Sequence, residues 1–372
     1  MAQGFSLNNQ LFNRDTVTML GMHFERAGVF ASAPFVAEVL SDMGPLALKQ
    51  RINHIATVLA RHLPPAFPQA AEAILQALPP PLDPTRADND FGHFIYAPLG
   101  VYVETHGAID HRDLSLDLLE ALTQRFSMEF SVRAFLNRWP DETLARMAAW
   151  ADHPNYHVRR LVSEGTRPRL PWGAGITLDY RRALPLLDRL HADPTRYVTR
   201  SVSNHLNDIT KFAPDEVLER LEHWNAAADQ LKKELRWMRT HTLRGLIKAG
   251  HTGAMRHLGY HPDADVTVSA ISIAPNTLAR GDQAEVSVRL SAPANTPLIV
   301  DYVIDFPKAG GKTSSKTFKL KTFTTKDTNG VTLKKRHRFK DDATTFALHP
   351  GPHRLHLQIN GRRSASVDFT LT

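Results

Sequence analysis

Residues 153–163, HPNYHVRRLVS, and residues 193–203, DPTRYVTRSVS, are two copies of one pattern, separated by 40 positions. The coinciding positions are Pro154, Val158, Arg160, Val162 and Ser163 in the first copy, and Pro194, Val198, Arg200, Val202 and Ser203 in the second. The valines of each copy stand four residues apart, a spacing that puts both on one face of an α-helix. We therefore predict a recurring helix after each proline, with an arginine on it in every repeat.

The repeat extends more weakly to both sides. Met238, Thr240 and Thr242 fit a third copy, and FSVRAFL at 130–136 matches YHVRRLV at 156–162 as a tighter preceding unit. In earlier segments such as FVAEVLSDM and QAAEAILQAL, apolar residues also recur at steps of three and four. The proline-rich run 79–84 ends these N-terminal helices. Repeats of this length are typical of HEAT-like solenoids, which present a concave surface. We predict such a solenoid over residues 1–262.

The period of the pattern changes from 3.6 to 2 after Pro262. Segments such as AEVSVRL, LIVDYVIDF and SASVDFTL alternate apolar with polar residues and are separated by turn signals such as ARGD, KAGG and DTNG. About seven such strands fit into residues 266–372. An immunoglobulin-like β-sandwich is the economical architecture for that number of strands. The predicted fold class is therefore multidomain, α then β.

The positive charge of the chain is concentrated in two regions. The formal net charge is +7, but residues 266–372 hold 16 lysines and arginines against 8 acidic residues, and residues 152–211 hold 10 against 6. Two basic regions favour a long polyanion such as nucleic acid over a small acidic metabolite. Solvated surface charge is the alternative explanation.

Composition excludes several kinds of chemistry. There is no cysteine, so disulfides, thiolate nucleophiles and cysteine-type zinc sites are excluded. His153 and His157 have helical spacing, but no carboxylate completes a recognisable metal site, and we expect neither a metal nor a cofactor.

The start of the sequence lacks a signal-peptide pattern, and no stretch is long and apolar enough to cross a bilayer. We expect a cytoplasmic monomer without a membrane partner.

The most unusual stretch is VRRLVSEGTRPRLPWG at 158–173, which begins as an amphipathic helix and ends in a loop that no solenoid needs for packing. It gathers four arginines with one acid and one tryptophan: Arg159, Arg160, Arg167, Arg169, Glu164 and Trp172. Arginine suits phosphate, and an indole offers a flat face to a base or sugar. A carboxylate costs affinity in a phosphate site, so Glu164 indicates chemistry.

Glu129 lies one repeat earlier, in SMEFSVRAFL. If Ser127 caps this helix, Glu129 occupies its first turn, where it would simply favour the helix dipole. Alternatively, because the inner helices of neighbouring repeats face one groove, Glu129 and Glu164 converge there.

The combination of FSMEFSVRAFL, HPNYHVRRLVSEGTRPRLPWG and SVSNHLNDITK in helical repeats resembles the AlkC group of bacterial DNA-alkylation-repair glycosylases. Some members of that group also carry a C-terminal immunoglobulin-like domain that contacts DNA. The resemblance implies base excision repair by a monofunctional DNA glycosylase that acts on double-stranded DNA. It also implies release of small cationic bases, 3-methyladenine above all and also 3-methylcytosine, without base flipping. Glu129, Glu164 and Trp172 match the expected active-site positions.

The next repeat supplies further DNA-binding candidates. Arg200, Asn204, Asn207 and Lys211 step along one helical face, which suits a row of phosphate contacts. Asn204 and Asp208 are equally suited to capping or bridging neighbouring helices. Arg244 is a weaker candidate in the third repeat. In the sandwich, Lys308 and Lys312 of the loop KAGGKTSSK suit DNA contact, whereas KKRHRFK at 334–340 suits a solvated edge strand equally well.

A non-catalytic HEAT-repeat scaffold that binds DNA or a protein is the competing hypothesis. It predicts binding that weakens steeply with salt and no release of a base.

Overall fold

The computed structural model describes residues 7–86, 88, 90–341 and 347–372. The first six residues, on which part of the signal-peptide prediction rests, lie outside this set. Two compact units are present: Met1–Ile209 with His223–Met238, and Thr210–Glu222 with Arg239–Thr372. The predicted boundary between residues 262 and 266 stays a prediction, although the last helices before it belong with the strands.

Helices occupy most of the chain before residue 258. They are α1 (Leu7–Leu11), α2 (Arg14–Arg26), α3 (Ser32–Met43), α4 (Leu48–His62), α5 (Phe67–Ala77), α6 (Ala97–His106), α7 (Arg112–Thr123), α8 (Val132–Arg138), α9 (Pro140–Trp150), α10 (Tyr156–Gly165), α11 (Leu184–Leu190), α12 (Arg196–Ile209), α13 (Pro214–Ala227), α14 (Lys232–Thr242), α15 (Arg244–Ala249) and α16 (Thr252–His257). Short 3₁₀ turns cover Phe94–Tyr96, Tyr180–Ala183 and Ala309–Gly311.

The two copies of the 40-residue repeat, which follow Pro154 and Pro194, correspond to α10 and α12, and these helices pack against each other. Val158 and Val198 are fully buried, as the shared pattern requires. The start of α10 is fixed by Asn155, whose side chain accepts a hydrogen bond from the His157 amide at 2.8 Å. At its end, a Cβ on Gly165 would lie 2.6 Å from Val132 Cγ1, so α8 approaches closely only because this residue is glycine. The α-helical part of the predicted fold is confirmed.

Of the two alternatives considered for Glu129, the structure does not show the one in which Ser127 caps a helix and Glu129 lies in its first turn. Residues 129–131 form a turn, and α8 begins only at Val132, with Ser131 as its N-cap. The Ser127 hydroxyl does not cap a helix but donates to Glu129 Oε2 at 2.7 Å. Glu129 therefore stands outside the helix that follows it, and the helix dipole does not explain its presence.

The strands of the second unit are β1 (Thr267–Ala274), β2 (Thr277–Leu278), β3 (Gln283–Ser291), β4 (Pro297–Pro307), β5 (Thr313–Thr324), β6 (Val331–Arg338), β7 (Gly351–Ile359) and β8 (Arg362–Leu371). They form two sheets with the orders β1-β3-β6 and β2-β8-β7-β4-β5. The inward-facing residues of both sheets share one apolar core, which includes Val286, Val288, Tyr302 and Leu357. The predicted sandwich is confirmed, with the two-residue strand β2 in addition to the seven expected.

Residues 244–262 contact the sandwich within the second unit. The Lys248 carbonyl, at the end of α15, accepts hydrogen bonds from Thr317 Oγ1 at 2.9 Å and Gln358 Nε2 at 3.4 Å. Gly250 and Gly361 both have positive φ, and a Cβ on Gly250 would lie 2.4 Å from the Gly361 carbonyl oxygen. These contacts require glycine and hold the segment against the strands.

Among the described residues, every helix falls short of the length and apolar character that a membrane crossing would need.

Candidate active site

The site is built from three segments of the first unit: the turn that carries Glu129, the last turn of α10 with Glu164, and the loop after α10 that carries Trp172. All three side chains line one pocket of about 270 Å³. Convergence of the two glutamates was one of two alternatives that the sequence left open for Glu129, and the structure brings both to the same cavity. Their catalytic roles remain predictions.

Arg133 of α8 holds the loop after α10 in place. Its guanidinium donates to the carbonyls of Gly165 and Arg167, both at 2.9 Å, and to the Ala174 carbonyl at 2.5 Å. Arg133 is only 1% exposed. Burial, together with the charge of Arg167, lowers its pKa to about 10, so the group remains charged at neutral pH. This buried cation therefore donates hydrogen bonds to backbone carbonyls near both ends of the segment 165–174.

A chain of alternating charges forms the floor of the pocket. Arg160 donates to Glu129 Oε2 at 2.6 Å and lies 3.5 Å from Glu164 Oε2. Arg167 donates to Glu164 Oε1 at 2.5 Å and to Asp208 Oδ2 at 3.0 Å. The five groups comprise three carboxylates and two guanidiniums. Arg133, which is also charged and interacts with all three carboxylates, brings the count to three charges of each sign.

Mutual pairing keeps these buried groups ionised. Burial opposes the charged form of Glu164, but Arg160 and Arg167 outweigh it and hold the pKa of this carboxyl below its usual value. Burial likewise opposes charge on Arg160, and Glu129 and Glu164 outweigh it and raise the pKa of the guanidinium. Arg160 also stacks on Tyr197, with its Cζ 4.6 Å from the ring centroid. Both glutamates are therefore bound to a fixed, permanently charged arginine.

The two glutamates differ in how much of each carboxylate is already used. Both oxygens of Glu164 are occupied, because Arg167 donates to Oε1 and the Ser201 hydroxyl donates to Oε2 at 2.6 Å. Its side chain is 6% exposed. For Glu129, the contacts from Ser127 and Arg160 both fall on Oε2. Within the described part of the chain, Oε1 of Glu129 accepts no hydrogen bond, and this carboxylate is the more accessible of the two.

Trp172 stands at the mouth of the pocket in an uncommon conformation. Its φ of 66° lies in the left-handed region, and the residue is 55% exposed. A bulky residue with positive φ is held there by its surroundings at a cost in free energy. Here the Gly173 amide donates to the Leu170 carbonyl at 3.1 Å and closes the turn. The turn thus fixes the main chain at Trp172, and the indole is exposed at the pocket.

Three arginines predicted to contact DNA are internal ion-pair partners. Arg159 binds both oxygens of Asp193, at 2.5 and 3.2 Å, and also donates to the carbonyls of His153 and Pro154. Arg160 and Arg167 are buried in the charge cluster. Direct phosphate contacts by these three stay predictions, but in this structure Arg160 and Arg167 bind the glutamates of the pocket, and Arg159 binds Asp193.

The other predicted DNA-binding residues are more accessible, with one exception. Exposed residues are Arg169, Lys211, Lys308 and Lys312, and half-buried ones are Arg200, Asn204 and Arg244. Arg200 forms an ion pair with Asp88, and Arg244 donates to the His241 carbonyl at 2.5 Å. The exception is Asn207, which is 8% exposed. The bridging role considered for Asp208 is observed, since it accepts from Arg167.

Sequence analysis missed Arg133, Ser201 and Tyr197 as parts of the site. Arg133 did carry a signal, because it occupies the arginine position of the repeat one unit before Arg159. Ser201 and Tyr197 look like ordinary helical residues until α12 is packed against α10. Within the described ranges, no three histidine or carboxylate side chains are grouped so that they could hold a metal ion.

The fold and the pocket together define a class: a helical-repeat protein with a C-terminal immunoglobulin-like domain and a paired-glutamate site. A family model described as "Uncharacterised protein YhaZ, C-terminal Ig-like domain" matches residues 267–372. "Uncharacterized protein YhaZ" of Bacillus subtilis (strain 168) is 30% identical over 371 residues, which cover 97% of this chain and 98% of the relative. The chain belongs to the YhaZ family.

A solved structure resembles the whole chain as well. It is the Pseudomonas fluorescens alkylpurine DNA glycosylase AlkC bound to DNA containing an abasic site analog. The two chains are 32% identical, the alignment covers 99% of this chain and 100% of the other, and the TM-score is 0.88. The AlkC-like fold expected from the sequence motifs is thereby confirmed over both units.

Proposed function

We propose that this protein is a DNA glycosylase that hydrolyses the N-glycosidic bond of small cationic alkylated bases in duplex DNA. The substrates we propose are 3-methyladenine and, secondarily, 3-methylcytosine. The full-length similarity to an alkylpurine DNA glycosylase supports the class of reaction. The observation that carries the proposal is one pocket that contains Glu129, Glu164 and the exposed Trp172.

The chemistry suits a site without a strong general acid. Alkylation of a ring nitrogen makes the base cationic, so the base leaves as a neutral molecule when the glycosidic bond breaks and its electron pair stays on the base. Positive charge then develops on the deoxyribose. Water adds to the anomeric carbon and loses its proton to a carboxylate. The protein therefore has to stabilise a sugar cation and position a water molecule.

We assign the larger share of this task to Glu129. Its Oε1 is available for a water or a sugar cation, whereas both oxygens of Glu164 are bound to other groups. A carboxylate about 4 Å from a developing unit charge contributes on the order of 4 kcal/mol at an effective dielectric of 20. This corresponds to roughly a thousandfold in rate. Glu164 contributes negative potential and keeps Arg160 oriented toward Glu129.

Trp172 is proposed to place its ring face against the deoxyribose or the cationic base. Such an attraction is worth about 0.5–2 kcal/mol. The fixed backbone at this position means that little freedom is lost when the substrate binds. Trp172 would thus orient the lesion more than accelerate the chemistry.

We further propose that the duplex backbone is bound by exposed basic residues, with Arg169 next to the pocket and Lys308 and Lys312 in the sandwich. The lesion would react without rotation out of the duplex. The 270 Å³ pocket has aromatic walls and a charged floor. This arrangement suits contact between the pocket and a sugar at the surface of the DNA.

The test is release of free base from N-methylated duplex DNA under single-turnover conditions. We expect wild-type protein to release 3-methyladenine and Glu129→Gln to lose roughly a thousandfold in rate while it still binds abasic-site DNA. The matched control is Glu142→Gln, an exposed acid on α9 that pairs with Arg112. If wild-type protein binds methylated duplex but releases no base, the scaffold hypothesis replaces the enzyme.

A further inference from the structure

A second pocket of about 250 Å³ adjoins the first in the helical unit. Both cavities are lined by the same four aromatic residues, Phe94, Phe126, Phe130 and Trp172. The remaining walls come from the start of α4, from α6 and from the turn that carries Glu129. This second cavity belongs to none of the roles assigned so far.

The second pocket combines flat apolar walls with few polar groups. The main one is Glu104 of α6, which is half-buried and hydrogen-bonded by the Ser131 hydroxyl. Burial raises the pKa of this carboxyl, and Ser131 and Lys49 only partly oppose the effect. Asn53 and Lys49 lie exposed at the rim. Aromatic walls with a few polar groups are typical of a site for a small planar ligand.

We propose that this second pocket binds the free alkylated purine after excision. The inference rests on the proposed function, because it takes the product of that reaction as its occupant. The base would stack on the aromatic walls that both cavities share, and its exocyclic amino group would donate to the Glu104 carboxyl.

Three features favour this occupant over others. The cavity is too small for a helix or an extended peptide, but it is adequate for one purine. Its Glu104 carboxylate can accept more hydrogen bonds than the one from Ser131, and a purely apolar ligand would desolvate this remaining capacity at a cost in free energy. It also shares four aromatic side chains with the glutamate pocket, so a released base would move only into an adjoining cavity. A consequence is inhibition of the protein by its own product.

Calorimetric titration of the full chain with free 3-methyladenine, in the absence of DNA, tests the proposal. Ile52→Trp fills the pocket from α4, and Glu104→Gln replaces the acid with a neutral amide of similar shape. The control is Leu75→Trp, which adds the same ring at an exposed position of α5. We expect wild-type protein and Leu75→Trp to bind equally, Ile52→Trp to bind at least about tenfold more weakly, and Glu104→Gln to be weakened severalfold.

The proposal is overturned if wild-type protein does not bind the free base, or if Ile52→Trp binds it as well as wild-type protein does. Circular dichroism and thermal unfolding show whether each variant is folded, and Glu104→Gln keeps the test informative if Ile52→Trp is not. The base-release assay on wild-type protein separates the two proposals. Base release without binding of free base refutes the second pocket, whereas specific binding without release refutes the enzyme and leaves a site for a free alkylated purine that is not this protein's product.

Discussion

Arg160 joins Glu129 to Glu164: its guanidinium is 2.6 Å from Glu129 Oε2 and 3.5 Å from Glu164 Oε2. The two carboxylates come from neighbouring repeats, and the arginine belongs to the same helix as Glu164. A single cation therefore offsets the repulsion that would otherwise separate the two acids. The relationship makes their functions unequal, since Glu164 also neutralises Arg167.

Glutamine substitutions should separate stability from catalysis. Glu164→Gln leaves Arg160 and Arg167 buried with one fewer negative charge, so we expect a loss of about 3 kcal/mol in the free energy of unfolding. Glu129→Gln retains an amide oxygen that can accept from Arg160, and Arg160 still pairs with Glu164. We therefore expect the free energy of unfolding to fall by only about 1 kcal/mol. The rate of base release should instead fall roughly a thousandfold in Glu129→Gln. Urea unfolding and single-turnover release measure the two effects.

The exposed pair Glu142 and Arg112 provides the control for this comparison, because Glu142→Gln removes a surface ion pair worth at most about 1 kcal/mol. Equal destabilisation by Glu129→Gln and Glu164→Gln would contradict the unequal roles derived from their contacts.

Two arginines of the same sequence motif should behave differently in DNA binding. Arg169 is exposed, so Arg169→Ala should weaken binding to any duplex and reduce the slope of log affinity against log salt by about one. Arg159 neutralises Asp193, whose side chain is 3% exposed, so Arg159→Ala should leave the salt slope unchanged and lower the free energy of unfolding by about 3 kcal/mol. Fluorescence anisotropy over a salt series and urea unfolding decide between these effects.

The same contrast shows where sequence patterns stop being informative. The 40-residue offset fixed the repeated helices, because apolar periodicity reports which face of a helix is buried. Alternation with turn signals fixed the sandwich for the same reason. Convergence of Glu129 and Glu164 followed from their places in neighbouring repeats.

The depth of a polar residue could not be obtained in this way. Arg159 and Arg169 are the same residue type in one motif, and only the packing of α10 against its neighbours shows that Arg159 meets a buried carboxylate. Arg133 is buried for a comparable reason, since its partners are backbone carbonyls of a loop whose path no periodicity predicts. Glu129, outside its helix, likewise pairs with Arg160, which lies 31 residues further along the chain.

Acid should destabilise the helical unit through His205. This residue is fully buried, its Nδ1 donates to the Ser163 carbonyl at 3.0 Å, and burial lowers its pKa from 6.5 to about 4. Between these two values the unfolded chain binds the proton and the folded chain does not. The free energy of unfolding therefore rises with pH through this window and falls as the solution is acidified from 6.5 toward 4.

The loss attributable to His205 at pH 4 is on the order of 3 kcal/mol. His205→Asn keeps an amide donor for the Ser163 carbonyl but cannot titrate, so its free energy of unfolding should vary less between pH 7 and pH 4. The exposed His106→Asn is the control. Parallel pH profiles for wild-type protein and His205→Asn, measured by urea unfolding, would show that His205 is not responsible.

DNA contact by the sandwich is best tested at Lys308 and Lys312, because removal of the domain after residue 262 would also expose the surface around Lys248 and Gly250 that packs against the strands. Both lysines are exposed and precede β5, so the double substitution to alanine should leave the free energy of unfolding unchanged. It should weaken duplex binding and reduce the salt slope by up to about two. Lys326→Ala is the matched control.

Lys326 is an exposed lysine at the other end of β5, and the twelve residues of that strand separate the two sites by roughly 40 Å. A duplex bound at the Lys308 loop should therefore be insensitive to Lys326→Ala. If the control flattens the salt dependence about half as much as the double variant does, which is the same effect per lysine, the positive charge of the sandwich acts as a diffuse field. Loss of affinity in the double variant alone would instead assign the contact to the Lys308 loop, because counterion release counts the phosphates that a given lysine neutralises.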